Sequence, residues 1–205
     1  MILSVQLIVT AAFVALACFN DSFARFMHEN KWLFWVCFAI NIILLYVLAY
    51  VRTATRKVPL NYILLTIFTL TEAYIVGFVT TMYDPTTVFI AAVFTAAVVI
   101  ALTIYACTTK TDFTVCGGVL FVAVMILCVA SIFSFFFYNK IVSIIISAIS
   151  VVVFSIYLIY DTQLILGNGQ LKLTVDDYIF AAIRLYIDII RIFLEILKLV
   201  GHARR

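Results

Sequence analysis

Two aspartates stand where a carboxylate is expensive to keep. Asp161 follows Leu158-Ile159-Tyr160, and Asp188 lies within Leu185-Tyr186-Ile187-Asp188-Ile189-Ile190, so each interrupts a run that is otherwise almost wholly apolar. Two carboxylates in contact at low dielectric cannot both be ionised cheaply, so such a pair is expected to share a proton, and its protonation state becomes a switch. Loss of the proton favours parting the two helices by repulsion, and the exposed oxygens are hard ligands suited to calcium. Asp161 and Asp188 are therefore candidates for a proton-sharing gate and for transient calcium ligation. Glu72, alone in the middle of another apolar run, is a further candidate. An intramembrane carboxylate is a functional hypothesis by default, and the structural alternative is a bond to Thr or Tyr hydroxyls of neighbouring helices.

The elements that position these groups follow from composition. A chain of 205 residues that is 67% hydrophobic and 11% charged, with mean hydropathy +1.25, has more apolar surface than one soluble core buries. The bilayer must be its solvent. With about 20 mostly apolar residues per crossing, the expected spans are roughly 2–19, 32–51, 60–82, 86–107, 113–137, 141–160 and 177–200, which leaves no length for a soluble domain. The expected fold is an all-α integral membrane protein, one polytopic domain over residues 1–205. Net charge is +3, and Lys and Arg never cluster beyond two or three, so nothing points to nucleic acid. Cys18, Cys37, Cys107, Cys116 and Cys128 lie in or beside apolar runs without CxxC or His companions, which reads as reduced thiols rather than a metal site. No cofactor motif, phosphate loop or Ser/His/Asp arrangement is visible, and His28 and His202 are isolated. The N-terminal apolar run lacks a basic leader and is longer than a signal-peptide core, so it reads as a span that stays. Entry into that run at the first residue is also what a fragment or short isoform would show.

Trp32 and Trp35 open the second span at headgroup level, and Arg52, Arg56 and Lys57 follow its end, which places that end in the cytosol. Pro59 starts a new helix, Tyr83-Asp84-Pro85 makes a turn, and Gly117-Gly118 permits close backbone approach. The sixth span is expected to end at Tyr160-Asp161-Thr162-Gln163, with Gly167-Asn168-Gly169 breaking the helix. Thr174 and Asp177 form an acidic capping box for the last helix.

That last helix is unusual. At 100° per residue, Asp177, Arg184, Asp188, Arg191, Glu195, Lys198 and His202 fall within about 80° of one another. Such a stripe cannot face lipid comfortably and should face protein or water. Two alternatives stand: self-neutralisation through Arg184/Asp188 and Arg191/Glu195, or a helix lying flat in the interface. Seven full crossings from a cytosolic N-terminus put Arg52, Arg56, Lys57, Lys110 and Lys172 on one side and Arg25, Lys31, Lys140, Arg204 and Arg205 on the other. A last helix that re-enters moves the final two to the cytosolic side and restores a positive-inside bias. Six firm crossings and one atypical helix are expected.

Several of these segments resemble one family. Ile159-Tyr160-Asp161-Thr162-Gln163-Leu164 with Gly167-Asn168, Asp176-Asp177-Tyr178-Ile179-Phe180-Ala181-Ala182, and Leu185-Tyr186-Ile187-Asp188-Ile189-Ile190 resemble the signature of the Bax-inhibitor family of transmembrane proteins. Ser4-Val5-Gln6-Leu7, Phe68-Thr69-Leu70, Tyr83-Asp84 and Lys110-Thr111-Asp112-Phe113-Thr114 resemble its Lifeguard branch. The branch normally carries a cytosolic region before the first span, so the resemblance implies that this chain is truncated.

The resemblance implies a seven-helix bundle whose last helix is central and surrounded by six spans. It also implies a pH-responsive calcium leak in endomembranes, endoplasmic reticulum or Golgi, that lowers store calcium and suppresses cell death. Asp161 and Asp188 fall at the positions of the proton-sharing gate, and Arg52 at that of the latch by its place after the second span. Arg184 and Arg191 stand as competing charge partners, and Glu72, Asp176 and Glu195 as candidate ion-path carboxylates. The implied partners are the lipid bilayer, calcium as transported ion, protons and cell-death regulators. A non-conducting anti-apoptotic scaffold is the alternative. The two aspartates also resemble those of intramembrane aspartyl proteases, but Asp188 lacks the Gly-x-Gly that precedes the second aspartate there, so a non-enzyme is expected.

Overall fold

The computed structural model describes residues 1–51, 58–136, 139–167 and 178–204. Among them are eight α-helices and no strand: α1 (Ile2–Phe19), α2 (Asp21–Glu29), α3 (Lys31–Tyr50), α4 (Leu60–Thr80), α5 (Pro85–Thr108), α6 (Gly117–Phe136), α7 (Lys140–Leu166) and α8 (Tyr178–Ala203), with one 3-10 turn at Phe113–Cys116 before α6. Six segments, all of α1 and α4–α5, most of α3, the turn with α6, and α7, are long and apolar enough to cross a membrane. The expected all-α membrane architecture is what forms. The last helix is not among those six, because Arg184, Asp188, Arg191, Glu195 and Lys198 all lie within it.

Three boundaries differ from expectation. The fifth span begins as a 3-10 turn and becomes α-helical only at Gly117. The sixth does not end at Tyr160 but continues to Leu166, which puts Asp161 inside the helix. The mixed-charge segment after the first span contains α2. Asn20 accounts for it: its backbone N–H bonds Leu16 O, closing α1, while its side chain accepts from Ser22 N at 3.0 Å and Phe23 N at 3.1 Å, opening α2. Asp21 in the first turn suits the helix dipole.

Contacts divide the chain into two compact units, Met1–Thr86 with Thr174–Tyr186, and Thr87–Leu173 with Ile187–Arg205. In the N-terminal unit α4 is the packing axis, buried continuously from Thr71 to Phe78, with α1 and α3 laid along it. α2 drops Met27, fully buried, onto Ala17, Tyr74 and Phe78, with Phe13, Phe23 and Phe34 around them. Gly77 faces this cluster, where a Cβ would meet Phe13 O and Met27 Cε at 3.5 Å, ordinary van der Waals contact. Polar groups tie α1 to α4 and to the start of α8. Gln6 Nε2 donates to Thr69 Oγ1 at 3.1 Å, and Thr10 Oγ1 meets Tyr186 OH at 2.8 Å. In the C-terminal unit, α7 packs against α6 and the 3-10 turn, around Leu120, Tyr160 and Leu164.

Met27→Ala should lower the thermal stability of the detergent-solubilised protein by about 2–5 kcal/mol equivalent, as for other buried Met truncations. Phe26→Ala, at the exposed neighbour, should lower it far less in the same melting assay.

Candidate functional site

The end of α7 is built to hold a carboxylate out of water. Leu158 through Leu164 are buried without interruption, and Asp161 is only 2% exposed. The helix stops cleanly because Gly167 adopts φ 69°, the left-handed conformation glycine adopts without strain, and returns its N–H to Gln163 O at 3.0 Å. Gln163 then does what a peptide group would do. Its side-chain oxygen accepts from Phe113 N at 2.8 Å and its nitrogen donates to Thr111 O at 2.9 Å, fastening the loop between α5 and α6 to α7 two residues after Asp161. Asp112 stiffens that loop by capping the 3-10 turn, accepting from Thr114 N at 2.9 Å and Thr114 Oγ1 at 2.6 Å. On the other side of Asp161, the Tyr160 hydroxyl would lie 3.0 Å from a Cβ at Gly117, so glycine there makes room for the ring.

Asp188 occupies the second helix of the site and is 6% exposed. Within α8, Tyr178, Arg191 and Ala203 are the exposed residues, so the helix is enclosed around most of its circumference. The polar stripe is not uniform. Asp188 lies on its buried edge and Arg191, about 60° round the helix, on its exposed edge. Arg184 is partly buried and holds its guanidinium 5.4 Å above the Phe180 ring. Glu195 pairs with Lys198 at 2.9 Å, while Arg191, its expected alternative partner, is exposed. His202 Nδ1 meets Lys198 O at 2.7 Å.

Asp161 and Asp188 thus lie on two helices of the same compact unit, both buried. Each has polar or electrostatic partners, and in each one oxygen, Oδ1 of Asp161 and Oδ2 of Asp188, is buried without a hydrogen bond. Glu72 is also buried but belongs to the N-terminal unit. Arg52, Asp176 and the Thr174/Asp177 capping box lie outside the described residues. All five cysteines are free, and among the described residues no three His, Cys, Asp or Glu side chains converge as a metal site. The loop brace made by Gln163 and the ties made by Gln6 and Tyr186 escape a reading centred on charge. An amide inside an apolar run was the available signal for the two glutamines.

Gln163→Leu removes both loop bonds and leaves the Phe113 N–H and Thr111 C=O unpaired, which should cost about 1–3 kcal/mol. The loss should appear as a lower melting temperature together with faster proteolysis between Thr109 and Phe113.

Residues 1–205 match in full the family described as "Inhibitor of apoptosis-promoting Bax1". Protein lifeguard 3 of human and of mouse are each 36% identical over 204 residues, covering 98% of this chain. The chain spans 66% of their length. Mouse Protein lifeguard 4 is 36% identical over 197 residues, 96% of this chain and 80% of its own. With six apolar helices long enough to span, these matches make the chain a multi-pass integral membrane protein that belongs to the Bax-inhibitor family, in its Lifeguard branch.

Proposed function

We propose that the chain is a pH-sensitive calcium leak of intracellular membranes that restrains cell death, gated by Asp161 and Asp188. The observation that carries this reading is the near-complete burial of both carboxyls on two helices of one compact unit. An isolated buried carboxylate is costly, and two close together cannot both be ionised without strong repulsion. Sharing one proton removes most of that cost and holds α7 against α8. Raising the pH strips the proton, the two like charges repel, and the helices part. The freed oxygens are hard donors, and two carboxylates passing a cation between them fit transient calcium ligation better than a resident site.

Charge partners tune this equilibrium. Arg52 is proposed as the latch on the opened carboxylate. Arg184 stands on the same helix as Asp188, and Arg191 is exposed at the edge of the stripe, available to an approaching anion or lipid headgroup. Glu195, already paired with Lys198, is the weaker candidate for the ion path. The restraint of cell death rests on the family's description and on the lifeguard relatives, and endoplasmic reticulum or Golgi membranes, which store calcium, are the proposed location.

Reconstituted in calcium-loaded liposomes, the wild type should leak faster as the pH is raised. Asp161→Asn and Asp188→Asn, which mimic the protonated form, should each hold flux at the low level and flatten its pH profile. If both variants keep the wild-type flux and pH dependence, the gate lies elsewhere. Cell protection measured with the same variants separates leak from scaffold action, because protection by partner binding alone should survive neutralisation of both aspartates.

A further inference from the structure

We propose that Glu72 is a second proton-binding group, held in the N-terminal unit by an acceptor-rich cluster of Gln6, Thr10 and Tyr186. The cluster's hydrogen inventory leads there. Thr69 donates its hydroxyl proton to Leu65 O at 2.8 Å, so its oxygen accepts the 3.1 Å bond from Gln6 Nε2. Thr10 donates to Gln6 O at 2.9 Å, so the 2.8 Å contact with Tyr186 must be donated by the tyrosine. The hydroxyl protons are therefore all committed. Gln6 Oε1 is left buried without a hydrogen bond in a side chain only 2% exposed, and the amide's own hydrogens cannot turn to it. An orphaned buried acceptor calls for a donor.

Helix geometry puts Glu72 on the face of α4 that meets this cluster. It lies three residues after Thr69, which bonds Gln6, and four after Phe68, whose ring packs on Tyr186 at 6.2 Å between centroids. Residues at those spacings share a helix face. Glu72 is buried and within electrostatic range of the Tyr186 hydroxyl. A protonated carboxyl supplies the O–H that Gln6 Oε1 lacks, which the ionised form cannot donate. Glu72 has further polar or electrostatic contacts, which two carboxyl oxygens accommodate beside one donated bond.

The ionisable groups on the elements packed around α4 leave this assignment room. α1 carries Cys18 and no charged side chain, with the Met1 amino group before it. α2 brings Asp21, Arg25, His28 and Glu29, and His28 lies at the Phe78 end of α4, 5.5 Å between ring centroids. α3 brings Lys31 at its first residue, then Cys37 and Tyr46. α4 itself carries Tyr62 and Tyr74, and the last helix brings Tyr178, Arg184 and Tyr186. Arg184 lies about 200° round the helix from Tyr186, with its guanidinium over Phe180.

This inference does not depend on calcium conduction. Infrared titration of the full chain in lipid tests it through the C=O stretch of protonated carboxyls. Wild type should carry a band lost in Glu72→Gln, retained in the Asp161→Asn/Asp188→Asn double variant, and bleached as the pH rises. Tyr186→Phe, which keeps the ring packing, and Gln6→Leu should shift its midpoint. Labelling by the apolar reagent dicyclohexylcarbodiimide, read by peptide mass spectrometry, should place the protonated group on Glu72 and fall with the same midpoint. A spectrum unchanged by Glu72→Gln at every pH, or a midpoint indifferent to both Tyr186→Phe and Gln6→Leu, overturns the proposal.

Discussion

A membrane interior offers no water to a polar group, so each donor, acceptor and charge inside it must be met by the protein itself. Most of this chain avoids the problem by being apolar: α6 buries Leu120 and Leu127 and exposes Val119, Phe121, Met125, Ile126 and Phe133 to surroundings that welcome them. The threonines of the apolar helices return their hydroxyl protons to their own backbones, as Thr95 does to Ala91 O at 2.7 Å and Thr103 to Val99 O at 2.7 Å. Among the described residues, Gln6, Asn41, Gln163 and Tyr186 instead reach across to other elements, and Glu72, Asp161 and Asp188 are buried carboxyls. They sit on the elements that determine the arrangement of each unit.

The last helix concentrates this tension. Its stripe of charge excludes it from ordinary lipid exposure, and its enclosure by protein is the resolution. Toward the start of the helix Tyr186 is tied to α1 through Thr10, and toward its end the charges neutralise one another, Glu195 with Lys198. Asp188 lies between these two stretches, two residues beyond Tyr186 and at the buried edge of the stripe. The neighbouring α7 achieves a comparable setting by different means. A left-handed glycine ends the helix, a glutamine stands in for a peptide group, and a glycine on the facing element clears space for Tyr160. Small residues and neutral amides thus fix the surroundings of the ionisable ones, which is economical where every added charge needs a partner.

Much of the architecture was legible in the sequence because the bilayer imposes a simple length rule. The apolar runs at Ile2–Phe19 and Leu60–Thr80 declare themselves, and Asp161, Asp188 and Glu72 stand out against them by charge alone. Legibility failed where structure depends on a single capping residue or on distant partners. Asn20 both ends α1 and begins α2, a dual role that a loop-like stretch of mixed charge conceals. The continuation of α7 past Asp161 is decided at Gly167, not by the polarity of Asp161-Thr162-Gln163. The pairing of Gln163 with a loop fifty residues away leaves no local trace, and neither does the tie between Thr10 and Tyr186. Charge spacing likewise offers Arg191 to Glu195 as readily as Lys198, and the pair that forms is with Lys198.

The central claim is that Asp161 and Asp188 act as one titrating unit rather than as two independent acids. A double-mutant cycle on calcium flux at high and low pH, using Asp161→Asn, Asp188→Asn and the double variant in the same liposomes, tests it most directly. Coupling through a shared proton predicts that the double variant behaves like either single one, with no further change in flux or pH response. Additive effects of the two substitutions would contradict it.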